Sequence, residues 1–149
     1  MQKTIAHILL SATGFACFLA LNSFSLWGFA LLPETTLGEH AQLLWNTPLS
    51  LSNVAAFAVF FAGAPHLFGR SPLVAAIALL SAAVALMCLS TLLQNPAVLV
   101  AAGTCMGVGT TCCFFCWARA LFADGPDMAK VEIVLGSVLS AVPYLAFFT

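Results

Sequence analysis

Cys113-Phe114-Phe115-Cys116 has the CxxC spacing of thiol redox pairs and half of a zinc site. A membrane-embedded thiol oxidoreductase needs such a pair near the oxidising face and a second pair to relay electrons. Here the pair lies toward the inner end of an apolar segment that contains no histidine, and the outer loops contain no cysteine. Cys17, Cys88, Cys105 and Cys112 also lie inside apolar runs. Free cysteine in such surroundings acts as a small packing residue, and all six are read that way. His7, His40 and His66 are scattered and make neither a nucleophile–base pair nor metal spacing. The residues therefore supply no catalytic set, no metal site and no cofactor site, and the chain reads as a protein that is not an enzyme.

Polar groups inside oily segments are the next candidates, because they are costly there and commonly functional. Asn22 lies about two-thirds along the first segment, with Ser23 and Ser25 beside it and Trp27 a turn beyond. Asn22 and Trp27 are candidate ligand-binding residues, and interhelical hydrogen bonding by Asn22 is an equal alternative. Glu132 is the only carboxylate within an apolar segment. Arg119, near the inner end of the fourth segment, is placed to pair with Glu132 or Asp127 across a short loop, or to snorkel at the interface. Trp27, Trp45 and Trp117 read as interface anchors. Gly103 and Gly107 form a G-x-x-x-G face that lets a neighbouring helix approach closely, and Cys105, Gly109, Cys112 and Cys116 extend a small-residue ridge. Internal helix packing is the expected use of that face, ahead of dimerisation.

These positions are held by segments suited to hydrocarbon. Of 149 residues, 62% are hydrophobic and 6% charged, with a mean hydropathy of +1.09. A water-facing surface needs roughly a quarter charged residues, so this one faces lipid. The net charge of −1 offers no basic field for nucleic acid. Five apolar segments, roughly 5–31, 49–68, 72–93, 97–121 and 129–149, approach or exceed the ~20 residues a helix needs to cross a bilayer. Barrel-strand alternation is absent. The expected fold is an all-α, polytopic transmembrane bundle of about five spans forming one domain over 1–149.

Between the spans lie ordinary breaks. Pro33 and Pro48 bracket a polar stretch containing Glu34, Gly38, Glu39, His40 and Asn46. Gly69-Arg70-Ser71-Pro72 and Gln94-Asn95-Pro96 are short turns. Gly125 fits a helix C-cap and Asp127 an N-cap. The first apolar run is too long for a signal-peptide core and lacks a small-x-small cleavage site, so it is read as a retained span.

With the N-terminus in the cytoplasm, Lys3, Arg70, Arg119 and Lys130 all fall at inner ends, and the outer 33–48 loop carries two glutamates and no Lys or Arg. That asymmetry predicts an inner-membrane, multi-pass protein with its N-terminus inside. An impermeant thiol reagent added from outside is expected to label Glu39→Cys and spare Ser71→Cys. The reverse pattern would invert the topology. Five spans from an inner start leave Thr149 outside at the end of an apolar helix, which leads us to expect the front part of a longer protein.

The order of segments resembles the start of a major-facilitator-type fold. Gly69-Arg70 stands where that family has Gly-x-x-x-Asp-Arg-x-Gly-Arg, without the acidic residue. Gly107-Val108-Gly109 resembles its Arg-x-x-x-Gly-x-Gly element, with Gly103 replacing the arginine; Gly136, Ser140 and Pro143 are similar to its fifth-span signature. The residues tied to gating and proton coupling are missing. A closer resemblance is to the membrane region of multispanning LuxR-type helix-turn-helix regulators of actinobacteria. It rests on Gly107-Val108-Gly109 with Cys116-Trp117-Ala118-Arg119-Ala120-Leu121-Phe122-Ala123, and on Gly14-Phe15-Ala16-Cys17-Phe18 with Trp27. It implies a degenerate transporter-like sensor that binds a small molecule, with its DNA-binding domain outside this chain. Transport, and a purely structural membrane role, are the alternatives. The implied partners are the lipid bilayer, a small-molecule ligand, and either the remaining helices of a longer chain or further copies of this one.

Overall fold

The computed structural model describes residues 5–27, 40–63, 72–123 and 125–142, with side chains left out at 21 and 24–27. Among the described residues there are five helices: α1 (Ile5–Trp27), α2 (Ala41–Phe61), α3 (Pro72–Leu93), α4 (Pro96–Phe122) and α5 (Pro126–Leu139). Among the described residues there is no strand. By length and apolarity α2, α3 and α4 can each cross a membrane, whereas the apolar part of α1, Ile5–Ala20, is shorter. Helix α5 has 14 residues. Residues 28–31 and 143–149, the ends of the expected first and fifth spans, lie outside the described residues, as do Gly69, Arg70 and His66.

Local chemistry explains most of the helix ends. Pro72, Pro96 and Pro126 each stand at a helix start, where a missing N–H costs nothing and the fixed φ suits the first turn. The Asn95 side chain accepts a bond from the Ala97 amide at 2.9 Å and so caps α4. Gln94 before it takes φ 51°, a left-handed turn outside both helices. The N-cap expectation for α5 is corrected. Gly125, not Asp127, is the N-cap residue, with φ 99°, a backbone that glycine adopts at little cost. Asp127 sits inside the first turn, where its charge faces the helix dipole favourably.

A larger correction concerns α2. It begins at Ala41 and runs through Pro48, which had been expected to close a polar loop. Proline removes one helical bond and crowds the preceding turn. Packing outweighs that cost, because Ala41, Trp45 and Leu49, four residues apart, are buried together with Ala83, Leu99, Ala102 and Met106. Trp45 is 2% exposed, so it is a core residue rather than an interface anchor.

The chain divides into two compact units, one of Ser25–Cys113 and the other of Met1–Phe24 with Phe114–Thr149. In the first, α3 buries Ala76, Ala83 and Ser90, a seven-residue repeat of small side chains that permits close approach. It leaves Leu73, Val74, Ile77, Val84, Leu89, Leu92 and Leu93 exposed. Such an apolar face is untenable in water and natural against hydrocarbon. In the second unit, α5 buries Ala129, Glu132 and Gly136, one face at helical spacing. These helices make the chain a membrane protein.

Candidate functional site

In the Ser25–Cys113 unit the site is a polar seam between α2 and α4, made possible by glycine. A Cβ at Gly103 would stand 2.8 Å from the Trp45 carbonyl oxygen and 3.1 Å from the Pro48 ring. At Gly107 it would overlap the Leu49 carbonyl oxygen and the Ser52 hydroxyl. Gly109 faces α3 instead, 3.1 Å from the Leu80 side chain on the same measure. The three glycines thus all lie at helix contacts, two against α2 and one against α3. Paired positions rise together along α2 and α4, so the two helices run parallel.

Where α2 and α4 touch, hydroxyls and amides bond across the contact. Asn53 Nδ2 donates to Thr110 Oγ1 at 3.3 Å. Thr111 Oγ1 donates to the Asn53 carbonyl at 3.4 Å and to the Gly107 carbonyl at 3.0 Å. Thr110 and Thr111 are essentially buried. In lipid each buried polar group must find a partner within the protein, and small residues with hydroxyls are the usual means. Among the described residues, the buried side-chain oxygen of Asn46 has no hydrogen-bond partner.

In the unit built from α1, α5 and the end of α4, the central group is Glu132, 0% exposed. Ser11 Oγ donates to its Oε2 at 2.9 Å. One turn along α5, a Cβ at Gly136 would stand 2.9 Å from the Ala12 carbonyl oxygen and 2.8 Å from the Phe15 ring. These contacts bring α1 and α5 together in parallel. On the other flank of α1 a Cβ at Gly14 would overlap the Trp117 indole, so Trp117 is a packing residue of this unit. The Phe18 and Phe114 rings lie nearby, tilted to each other with centroids 6.2 Å apart.

The ion pairs expected for Arg119 do not form among the described residues. Arg119 is exposed, Glu132 is held by Ser11, and Asp127 pairs with Lys130 at 2.9 Å. That last pair is 73% and 92% exposed and contributes little. Its spacing within one helix turn wins over a reach across the loop, because less side-chain freedom is lost.

Asn22 is half-buried on α1, and the Trp27 side chain lies outside the described residues. Glu34, Gly38 and Glu39 are outside them too. All six cysteines are free thiols, and among the described residues no three potential metal ligands come together. The sequence reading passed over Ser11, Asn53, Thr110 and Thr111. For the threonines a signal existed, since they follow Gly107 by one turn on the same small-residue ridge; for Ser11 there was none. No family model, curated protein or solved structure matches this chain.

Proposed function

We propose that this chain is the membrane-embedded sensor portion of a LuxR-type regulator. In this reading a small molecule biases the helix bundle between two packings, and a DNA-binding domain outside the chain responds. The observation that carries the reading is Glu132. A fully buried carboxylate, clasped by a hydroxyl from another helix, is expensive in a bilayer and serves sensing or transport rather than bulk packing. The resemblance of Gly107–Gly109 and Cys116–Ala123 to the regulators' membrane region supports sensing over transport. So does Gly103, which stands where the transporter element has its arginine.

In this reading the N-terminus lies on the cytoplasmic side of the inner membrane, as the positions of Lys3, Arg70, Arg119 and Lys130 in the sequence favour. Reading the coding sequence beyond Thr149 tests the proposal. Several further spans ending in a basic, three-helix domain are the expected result. Further spans with no soluble tail would replace the regulator with a transporter, and a stop codon directly after Thr149 would overturn both.

A further inference from the structure

We propose that α2 is a hinged helix, in which residues 49–61 swing about Pro48 against α4 while residues 41–47 stay in the core. Pro48 lies inside α2 and has no N–H to give the Leu44 carbonyl four residues back, so one bond of the helical ladder is missing there. A second weakness follows one turn on. The Ser52 hydroxyl donates to the Leu49 carbonyl at 3.1 Å, the carbonyl that the Asn53 amide takes in a regular helix, and such back-bonding commonly bends helices. Proline and local breaks in the ladder are where helices bend sharply.

Packing divides α2 at the same place. Ala41, Trp45 and Leu49 belong to the core cluster, whereas Ala56 is the one buried residue in 50–61. A segment with few buried apolar groups opens at lower free energy than the core beside it. The close approach of Gly107 to the Leu49 carbonyl is the fulcrum, so Leu49 moves least and Phe61 most. Beyond the fulcrum the ties to α4 are polar and long. Asn53 Nδ2 reaches Thr110 Oγ1 at 3.3 Å and Thr111 Oγ1 reaches the Asn53 carbonyl at 3.4 Å, both longer than such bonds usually are. Just past the moving half, a Cβ at Gly63 would meet nothing within 4 Å. The swing supplies the second packing of the sensor reading, and its use as a switch rests on that reading.

Relaxation dispersion of backbone amides reports microsecond–millisecond exchange and can be read on the full ¹⁵N-labelled chain in detergent micelles. Amides of residues 49–61 are expected to share one exchange rate and one minor population, with the α3 amides quiet. Pro48→Ala restores the missing donor and should lower that population about fivefold, the worth of one helical hydrogen bond. Thr110→Val removes the tie to Asn53 and should raise it about threefold, the usual worth of such a bond between membrane helices. The second variant carries the test if the first folds poorly. No dispersion in 49–61, dispersion that only fades inward from Phe61 without a common rate, or a population unmoved by both variants would each overturn the hinge. The regulator reading stands or falls separately, on the coding sequence beyond Thr149.

Discussion

Gly107→Ala is expected to destabilise the protein by about 3 kcal/mol, the upper part of the range for overpacking a tight contact. The added methyl would meet the Leu49 carbonyl oxygen and the Ser52 hydroxyl at once, with the Asn53 amide nitrogen 3.0 Å away. A backbone oxygen cannot rotate aside, so α2 and α4 must separate. Separation also strains the Asn53–Thr110 and Thr111–Asn53 hydrogen bonds. Two companion variants give the claim its sharpness. Gly103→Ala meets the Trp45 carbonyl oxygen at 2.8 Å and is expected to be harmful but less so. Gly109→Ala meets the Leu80 side chain at 3.1 Å and the Leu79 Cβ at 3.2 Å. There a small repacking is offset by about 0.5–1 kcal/mol from replacing glycine in a helix. Denaturant titration in mixed micelles should rank the losses Gly107, then Gly103, then Gly109. If Gly109→Ala proves the worst of the three, the α2–α4 contact is not the tight one.

Ser11→Ala is expected to cost about 1–3 kcal/mol, because it removes a hydrogen-bond donor from a buried carboxylate. Adding Glu132→Met, which is similar in length and apolar, should recover most of that loss, since the carboxylate that lost its donor goes as well. Removing both members of a buried polar pair is commonly neutral or stabilising, whereas removing one is costly. The cycle of Ser11→Ala, Glu132→Met and the double variant reads this directly from unfolding free energies. Strict additivity would show that the two side chains do not interact, and the α1–α5 clasp would then have no energetic content. A double variant as stable as the parent would place the worth of Glu132 in function rather than in folding. That result is what a sensor reading needs.

Much of the fold was legible because the relevant signals are local. Pro72, Pro96 and Pro126 mark helix starts whatever lies elsewhere, and Asn95 needs only its own neighbours to cap α4. The G-x-x-x-G face was visible for the same reason: glycine spacing on a helix defines a smooth surface before any partner is known. Pro48 shows where local reasoning fails. A proline beside Asn46 and Thr47 looks like a loop boundary, yet burial of Ala41 and Trp45 against Ala83, Leu99, Ala102 and Met106, far along the chain, carries the helix through it.

The amino-acid sequence by itself determined the solvent of this protein and the kind of element it forms. So few charges cannot wet a surface, and backbone groups in hydrocarbon must be satisfied within each segment. Those constraints act residue by residue and sum along the chain. Tertiary structure decided which polar groups meet: Glu132 finds Ser11 across 121 residues, and Asn53 finds Thr110 across 57. Such pairings depend on helix rotation and on where glycine lets two backbones touch. Composition and spacing do not encode either, and so the Ser11 hydroxyl could not be read as the partner of Glu132.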